Sequence, residues 1–325
     1  MVVHHKQQSQ SSDFRKREIR LLLERVKNIL GKNYYCYEII NYPSSYRERS
    51  IDVVAVKDKD KLLLRIRLSI KNLHKDEIND LINAASAIDA VPLVLSDDVI
   101  YDNVVCERDN IYLISDKTLN NILRRSSDVF IIHKKNNFFV RINSKKLEKI
   151  KEDMGLSLGD LASYAGVSRR AVFDYLRSDS NVSLEVAERL IELLGEDIIE
   201  PVTIESLKTS FTRVIPEGSV RYERKLLDIL GVDDDEVLIY KINRSAPDYV
   251  VVSKDSYEIS FVVGGDLGKL SVKDLVKKIL ETEKLVRVIP SDIKAVIDRS
   301  LRDVILDELS VHKLDLNRIS VLESR

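Results

Sequence analysis

Two short helical patterns separated by a three-residue break constrain this chain more than any other stretch of its sequence. They lie within LSLGDLASYAGVSRRAVFDYLRS, residues 156–178, and the break reads Gly-Val-Ser. Ser157 is a favourable N-cap for the first helix, and Asp160 three residues later completes a capping-box pattern. Gly166 can adopt the positive φ that a tight turn requires, because it carries no Cβ. Two short helices joined by a glycine turn predict a helix-turn-helix.

The apolar residues around this break are spaced as in a small helical core. Four helical segments are predicted, over 144–154, 157–165, 168–177 and 183–194. Their apolar side chains recur at helical spacing, so we expect them to share one core. The predicted core residues are Leu161, Ala162, Ala165, Val167, Ala171 in part, Val172, Tyr175 or Leu176, Leu184, Ala187, Leu190, Ile191 and Leu194.

This region resembles the phage-repressor-like helix-turn-helix family, of the Cro/cI or xenobiotic-response-element (XRE) type. The segments that carry the resemblance are GLSLGDLASYAGVSRRAVFDYL and SLEVAERLIELLG, within residues 144–195. The family pattern is G-L-S-x-x-x-L-A, then G-V-S-x-x-x-(I/V), then S-L-x-x-A-x-x-(I/L), and the chain matches nearly every core position. Together with its flanks, the region is also similar to a family of archaeal transcriptional regulators.

The resemblance implies that the second helix of the pair, 168–177, lies in the major groove with its N-terminal residues at the base edges. By position, Arg169 and Arg170 match the family's first two base-facing residues, and Asp174 matches the third. An arginine can hold guanine O6 and N7 in two hydrogen bonds, whereas Asp174 can accept from cytosine N4 or orient Arg170 across one turn. The alternative is that two arginines on a helix are ordinary solvated charge.

Further residues complete the predicted DNA-binding surface. Phe173 is exposed on the helical wheel, where it can contact a thymine methyl group. Ser157 and Ser168 cap helices whose positive N-termini face phosphate. The predicted DNA-binding residues are Ser157, Ser168, Arg169, Arg170, Phe173, Asp174 and Arg177, with Lys134 and Lys135 of a preceding hairpin.

Charge is unevenly distributed along the chain, although its net charge is only −1. Residues 144–195 hold eight Lys/Arg and nine Asp/Glu, so the helical region is not basic as a whole. The upstream segment 124–146 carries seven Lys/Arg against one Asp. It includes a predicted hairpin over 129–142 that turns at Asn136-Asn137. Lys134 and Lys135 near its tip either contact the phosphate backbone or are simply solvated.

Two regions on either side of the helical segment share one predicted order: helix, strand, hairpin, helix, strand. The stretches SIDVVAVKDKDKLLLRIRL and APDYVVVSKDSYEISFVVG align without a gap, which places Asp52 on Asp248, and VPLVLSDD matches VRVIPSDI. This pattern predicts a duplicated α/β domain. The fold class is therefore α/β plus all-α, with two related α/β domains flanking a central helix-turn-helix.

The α/β order resembles the restriction-endonuclease-like core, which requires an Asp on the second strand and Glu-x-Lys on the third to hold Mg²⁺. Asp52 fits the first position, but Arg65 and Arg67 stand where a carboxylate is needed. In the second copy Asp248 fits, and Phe-Val-Val stands opposite. We therefore expect degenerate scaffold or dimerisation domains without catalytic residues, metal or other cofactor. The glycine-rich VVGGDLGKL, 262–270, is predicted to be a turn, because Leu270 replaces the hydroxyl residue of a phosphate-binding loop.

The predicted organisation is a flexible arm over 1–14, an α/β domain over 15–125, a hairpin with the helix-turn-helix over 126–200, and an α/β domain over 201–325. Cys36 and Cys106 form no CxxC pair, and the N-terminus lacks the apolar core of a signal peptide, so a cytoplasmic protein is expected. The predicted function is sequence-specific binding of double-stranded DNA as a homodimeric transcriptional regulator, not an enzyme. Two alternatives stay open: an adaptor of the transcription machinery without base readout, and a nuclease-like enzyme.

Overall fold

The structure is a computed structural model that describes residues 2–126, 128–177, 180–216, 221–264, 271–312 and 319–324, and side chains from residue 14 onward except those of 180, 221–223 and 324. Its helices are α1 (Val2–Lys32), α2 (Lys75–Ile88), α3 (Asp116–Leu123), α4 (Ser144–Asp153), α5 (Leu158–Ala165), α6 (Arg169–Arg177), α7 (Leu184–Leu194), α8 (Ile204–Ser210), α9 (Arg221–Leu230), α10 (Val272–Val288) and α11 (Arg302–Val311). Its strands are β1 (Cys36–Ile39), β2 (Val53–Lys57), β3 (Asp60–Ile66), β4 (Val91–Leu95), β5 (Val104–Arg108), β6 (Ile111–Ile114), β7 (Ile131–Lys134), β8 (Asn137–Ile142), β9 (Ser180–Ser183), β10 (Ile199–Glu200), β11 (Val237–Lys241), β12 (Tyr249–Ser253), β13 (Ile259–Val263), β14 (Asp292–Asp298) and β15 (Ile319–Ser324).

The chain divides into two compact units, and the first contains both α/β copies. It comprises the residues up to Val94 together with those from Phe211 onward. The first copy has the strand order β1-β2-β3-β4, and the second has β11-β12-β13-β14-β15. In both copies the first three strands are antiparallel neighbours and a helix connects the third strand to the fourth. The duplication predicted from sequence is therefore confirmed in the connectivity.

The two matched aspartates occupy equivalent places in their sheets. The backbone N–H of Asp52 donates to the carbonyl oxygen of Leu64 at 2.9 Å, and that of Asp248 donates to Val262 at 2.9 Å. The gap-free alignment is wrong beyond the turn, however, because it sets Ser260 against Leu64. The second hairpin is longer by two residues, so Val262 takes that place instead.

The last predicted strand of the second copy also differs from the structure. VRVIPSD, 286–292, reads as a strand by analogy with VPLVLSDD, but α10 continues to Val288 and β14 begins at Asp292. The side chains of Leu285 and Val286 are buried by helical packing. A short apolar run cannot distinguish a buried helix end from a buried strand, because periodicity is not visible over so few residues.

The two α/β copies pack on each other by a reciprocal exchange of helices. Helix α2 of the first copy packs against β11 and β12 of the second, and α10 packs against β1 and β2. Faces of the two α/β domains that were expected to serve dimerisation are thus already paired within one chain. The arrangement resembles an isologous dimer interface, in which the same surface is used on both sides.

Asp80 on α2 is a polar contact at the centre of this packing. Its carboxylate is fully buried and accepts hydrogen bonds from Ser50 Oγ at 2.9 Å and from the backbone N of Arg244 at 2.7 Å. It also accepts from the backbone N and the side-chain Nδ2 of Asn243, at 3.0 and 3.1 Å. Burial raises the pKa of Asp80, and these donors oppose that shift. One carboxylate thereby joins a strand start in the first copy to a loop in the second.

The second compact unit runs from Leu95 to Ser210 and contains the helix-turn-helix. Its strands follow the order β6-β5-β7-β8-β10, and β9 also pairs with β8. The hairpin of β7 and β8 turns at Lys135-Asn136, where φ is 50° and 62°. It therefore turns one residue earlier than the predicted Asn136-Asn137. The segment SDSN, 178–181, joins the predicted helices 168–177 and 183–194 and reads as a turn in the sequence, but Ser180–Ser183 forms β9; residues 178 and 179 lie outside the described residues.

Two further expectations meet a different structure. Helix α1 begins at Val2, so the segment 1–14 that was expected to be a flexible arm is helical from residue 2. The two compact units divide at positions 94/95 and 210/211, not at 125/126 and 200/201. None of the helices that the structure describes combines the length and apolarity needed to span a bilayer.

Replacing Asp80 tests the polar contact between the copies. We expect Asp80→Ala to lower the free energy of unfolding by about 2–3 kcal/mol, because buried donors lose a charged acceptor. Asn79→Ala, on the exposed side of the same helix, is the matched control and is expected to change stability by less than about 0.5 kcal/mol. Urea unfolding followed by circular dichroism measures both, and equal stability of the two variants contradicts the role of Asp80.

Candidate nucleic-acid interface

Helices α5 and α6 form the predicted pair, and a complete capping box fixes the start of α5. Ser157 Oγ accepts from the backbone N of Asp160 at 3.2 Å, and Asp160 Oδ2 accepts from the backbone N of Ser157 at 2.9 Å. The hydrogen bond from the Ser157 side chain lowers the pKa of Asp160. Gly166 ends α5 with φ 69° and ψ 34°, and its N–H donates to the carbonyl of Ala162. The left-handed turn that the sequence predicts at this glycine is confirmed.

Helix α6 presents nearly its whole outer surface to solvent. Ser168 caps it by accepting from the backbone N of Ala171 at 3.1 Å. Val172 is its buried residue, and it packs into the core of the unit. The exposed residues on this helix are Arg169, Arg170, Phe173, Asp174 and Arg177, which are the five that the sequence assigns to DNA contact.

Contacts among the exposed side chains of α6 connect Phe173 with Arg170 and Arg177, and Arg170 with Asp174. Arg170 Nε lies 3.3 Å from Asp174 Oδ1, while 76 % of the arginine side chain stays exposed. The guanidinium carbons of Arg170 and Arg177 each lie 5.5 Å from the centre of the Phe173 ring. The proposed orientation of Arg170 by Asp174 is therefore present in the structure. This ion pair engages the Nε edge of the guanidinium and leaves the Nη donors for other acceptors.

Arg169 takes a different direction from its neighbour. An ideal Cβ built on Gly159 falls 3.1 Å from Arg169 Nη2, so the guanidinium lies against the first turn of α5. Its charge also contributes to the lowered pKa of Asp160, after the hydrogen bonds from Ser157. Gly159 thus leaves space for an arginine that a larger residue would crowd. The two adjacent arginines are held in separate places.

A shared core holds these helices in position. It consists of the buried residues Val140, Ile142, Leu147, Leu161, Ala162, Ala165, Val172, Val182, Ala187, Leu190, Leu194 and Ile198. Val182 belongs to β9, which pairs antiparallel with β8 from Phe139↔Ser183 to Ile142↔Ser180. The chain leaving α6 therefore enters the sheet of the hairpin directly. Sequence reasoning missed this strand, and the single buried Val182 between polar residues was its only signal.

The two hairpin lysines differ in their surroundings. Lys134 Nζ forms an ion pair with Glu107 Oε1 at 2.5 Å, on the neighbouring strand β5. Lys135 lies in the turn with φ 50°, and it is exposed. An ion-paired lysine contributes less to phosphate attraction than an unpaired one, because the local charge is already balanced. Lys135 is thus the better placed of the two to contact phosphate.

The position of the nuclease-type site is occupied by a buried arginine. Arg65 Nη1 lies 2.6 Å from Asp52 Oδ2, and its Nε lies 2.5 Å from Glu77 Oε1. Arg67 Nη2 lies 3.2 Å from Glu77 Oε2. The side chains of Asp52, Arg65 and Glu77 are at most 4 % exposed. Glu77, which the sequence analysis did not single out, supplies the second carboxylate from α2.

These residues do not fit a divalent cation. The carboxylates of Asp52 and Glu77 both bind a guanidinium, and a metal ion there would face the positive charge of Arg65 directly. In the second copy Asp248 forms an ion pair with Lys278 of α10 and accepts from the backbone N of Gly264 at 2.8 Å. Within the described parts of the chain, His, Cys, Asp and Glu form no cluster that could hold a metal. Positions 265–270 of the predicted glycine-rich turn lie outside the described residues.

Comparison with known proteins agrees with both halves of this description. Residues 19–128 match the PD-(D/E)XK superfamily domain, and residues 147–200 match the helix-turn-helix family. The first match covers the copy that contains Asp52 and Arg65, and the second covers α4 to α7 almost completely. No solved structure gives a significant match.

Full-length relatives come from archaea. A protein of Sulfurisphaera tokodaii named "Putative HTH-type transcriptional regulatory protein" is 31% identical over 302 residues, which are 91% of this chain and 97% of the relative. A relative of the same description from Sulfolobus acidocaldarius is 33% identical over 243 residues, 73% of this chain and 78% of that protein. The resemblance to repressor-like helix-turn-helix proteins and to archaeal regulators is confirmed. The chain, whose PD-(D/E)XK domain precedes its helix-turn-helix, belongs to this family of archaeal HTH-type regulatory proteins.

Proposed function

We propose that this protein binds double-stranded DNA in a sequence-specific manner and regulates transcription from the bound site. The observation that carries the proposal is the outer face of α6, where Arg170 is 76 % exposed yet held by Asp174. An arginine that is oriented before binding loses less side-chain entropy when it forms two hydrogen bonds to guanine. The description of the relatives as HTH-type transcriptional regulatory proteins supports the same function.

The contacts of the predicted DNA-binding residues support a different role for each group of them. Arg170, Phe173, Asp174 and Arg177 form one connected surface on α6 and are assigned to base edges. Arg169 is the first residue of α6, its guanidinium lies against the first turn of α5, and it is assigned to the junction of base and backbone. Ser157 and Ser168 cap helix N-termini, which favour phosphate. Lys134 and Lys135 contribute general affinity at most.

The principal rival is an adaptor that uses the same fold without reading bases. Both functions are compatible with a helix-turn-helix, because the fold alone does not specify the ligand. They differ in whether one DNA sequence is preferred over random DNA. The base-reading function is favoured because α6 exposes arginine, aromatic and carboxylate groups together, which are the side chains that distinguish base pairs.

We further propose that the protein acts as a homodimer on an inverted repeat in the cytoplasm. A single short recognition helix reads only a half-site, and two heads related by a two-fold axis double the contacted sequence. The α/β faces that exchange α2 and α10 are paired within the chain, so the interface between subunits uses other surfaces.

We propose that the chain is not a nuclease. Arg65 pairs with both carboxylates that could bind a metal in the first copy, Arg67 adds a second positive charge beside Glu77, and Lys278 pairs with Asp248 in the second copy. Hydrolysis of a phosphodiester by this fold depends on metal-activated water, and no chemistry of that kind follows from a guanidinium between two carboxylates.

Paired substitutions test the assignment of base readout to α6. After immunoprecipitation has identified the bound sequence, the double variant Arg169→Ala/Arg170→Ala is expected to lose about 1–3 kcal/mol of discrimination per lost guanine contact. Lys134→Ala/Lys135→Ala is expected to weaken all sequences alike and to lower the salt slope by about one to two units, chiefly through Lys135. Lys149→Ala, exposed on α4, is the control. An arginine variant that keeps its preference for the operator supports the adaptor instead.

The molecular mass in solution tests the dimer. Light scattering of the full chain at micromolar concentration is expected to give twice the monomer mass, and an operator half-site is expected to bind at least about tenfold more weakly than the inverted repeat. Monomers that bind a half-site and a full site with equal affinity per head contradict the homodimer.

A cleavage assay tests the non-enzymatic assignment. Incubation of labelled single-stranded and double-stranded DNA and RNA with the full chain and Mg²⁺ or Mn²⁺ is expected to leave every substrate intact. An active nuclease of the PD-(D/E)XK superfamily serves as the positive control. Metal-dependent cleavage that disappears in Asp52→Ala overturns the assignment.

A further inference from the structure

A basic cleft opens beside the buried Asp52–Arg65–Glu77 network, entirely within the first compact unit. Its volume is about 1140 Å³, comparable with or slightly larger than the usual volume of a small-molecule site. Helix α1, the loop between β1 and β2, and the segment after β3 form its walls. The charged residues that line it are Arg15, Lys16, Arg20, Arg47, Arg49, Arg67 and Asp52.

The positive charge of the cleft is not balanced within it. Asp52 is the acidic residue among those lining it, and its carboxylate is already bound to Arg65 at 2.6 Å. Within the described part of the chain, Arg15, Arg20 and Arg47 form no ion pair, and all three are exposed. Several unpaired arginines around one concave surface create a positive potential that attracts anions.

Two of the residues that line the cleft carry polar atoms without partners. Tyr46 Oη and Arg67 Nε are buried and have no hydrogen-bond partner among the described residues. Burial raises the pKa of Tyr46, and the charge of Asp52 raises it further, so the phenol stays a hydrogen-bond donor at neutral pH. Buried donors are normally satisfied in a folded protein, and a bound acceptor would satisfy both.

Arg49 shows that the cleft is built rather than incidental. Its guanidinium donates to the carbonyl oxygens of Pro43 at 2.6 Å and of Ser44 at 3.3 Å. These bonds fold the 40–49 loop around the arginine and hold the wall that carries Arg47. The other lining residues include the apolar Ile19, Leu23, Ile39 and Leu68. The cleft therefore offers an apolar surface beside its arginines.

We propose that this cleft binds a small phosphorylated ligand of nucleotide size. Arginine suits phosphate oxygens because its fork forms two parallel hydrogen bonds, and exposed Arg20 and Arg47 supply such forks at the rim. Tyr46 and Arg67, which also line the cleft, hold buried donors that have no partner among the described residues. The apolar wall suits a planar or aliphatic group attached to the phosphates. This site does not depend on DNA binding by α6.

Calorimetry on the full chain tests the proposal with defined probes. ATP and inorganic pyrophosphate are expected to bind, adenosine is expected not to bind, and affinity for ATP is expected to fall as salt concentration rises. Arg20→Ala/Arg47→Ala is expected to weaken ATP binding by about tenfold or more. Arg17→Ala, on α1 but outside the cleft lining, is the matched control and is expected to change it by less than about twofold.

The results expected for ligand binding in the cleft do not depend on the results for DNA binding by α6. Circular dichroism and the melting temperature establish that each variant is folded. If the double variant does not fold, the milder variant Arg47→Gln is used to measure the loss of ATP binding. Absence of binding by ATP and pyrophosphate at millimolar concentration overturns the proposal. Binding that the cleft variants do not weaken overturns it as well, as does a cleft that binds a random DNA duplex but neither small probe.

Discussion

The interior of the first α/β copy depends on one buried guanidinium, that of Arg65, which lies between two carboxylates. Arg65 on β3 connects Asp52, which directly precedes β2, to Glu77 on α2. The guanidinium carbon Cζ of Arg65 lies 4.5 Å from the centre of the Tyr46 ring. Removing Arg65 would take from both buried carboxylates the cation that they share, and breaking a buried ion pair in this way costs several kcal/mol. The network therefore fixes the geometry of strand, helix and loop together. It also places an organic cation where a nuclease of this fold would require a metal.

In the second copy, different residues pair with the matched aspartate. Asp248 receives its positive partner from α10, where Lys278 replaces the strand arginine, and the backbone N of Gly264 donates to the same carboxylate. Each copy therefore keeps the aspartate and neutralises it from a different element. The reciprocal packing of α2 and α10 then buries both copies against each other, with Asp80 as the fully hydrogen-bonded polar group between them. A duplicated domain thus forms an internal pair.

Short-range backbone interactions determine the geometry of the helix-turn-helix, and its helices share a core with the neighbouring sheet. The capping box at Ser157, the left-handed Gly166 and the cap at Ser168 follow from short-range backbone chemistry. Strand β9, which begins three positions after the end of α6, pairs with β8 of the hairpin in the same unit.

The sequence by itself determined the features that depend on neighbouring residues. Helix caps, the glycine turn, the exposed face of α6 and the duplicated order of elements are all set by spacing within a few turns or strands, and the structure contains each of them. The exchange of α2 and α10, the β9 ladder, the partners of Lys134 and Arg169, and the pairing of Asp52 and Glu77 through Arg65 were decided only by tertiary structure. These contacts join residues far apart in the chain, and which side chains meet there depends on register and packing. A two-residue lengthening of one hairpin already suffices to change the alignment, because side chains in a sheet are matched by hydrogen-bond register rather than by sequence position.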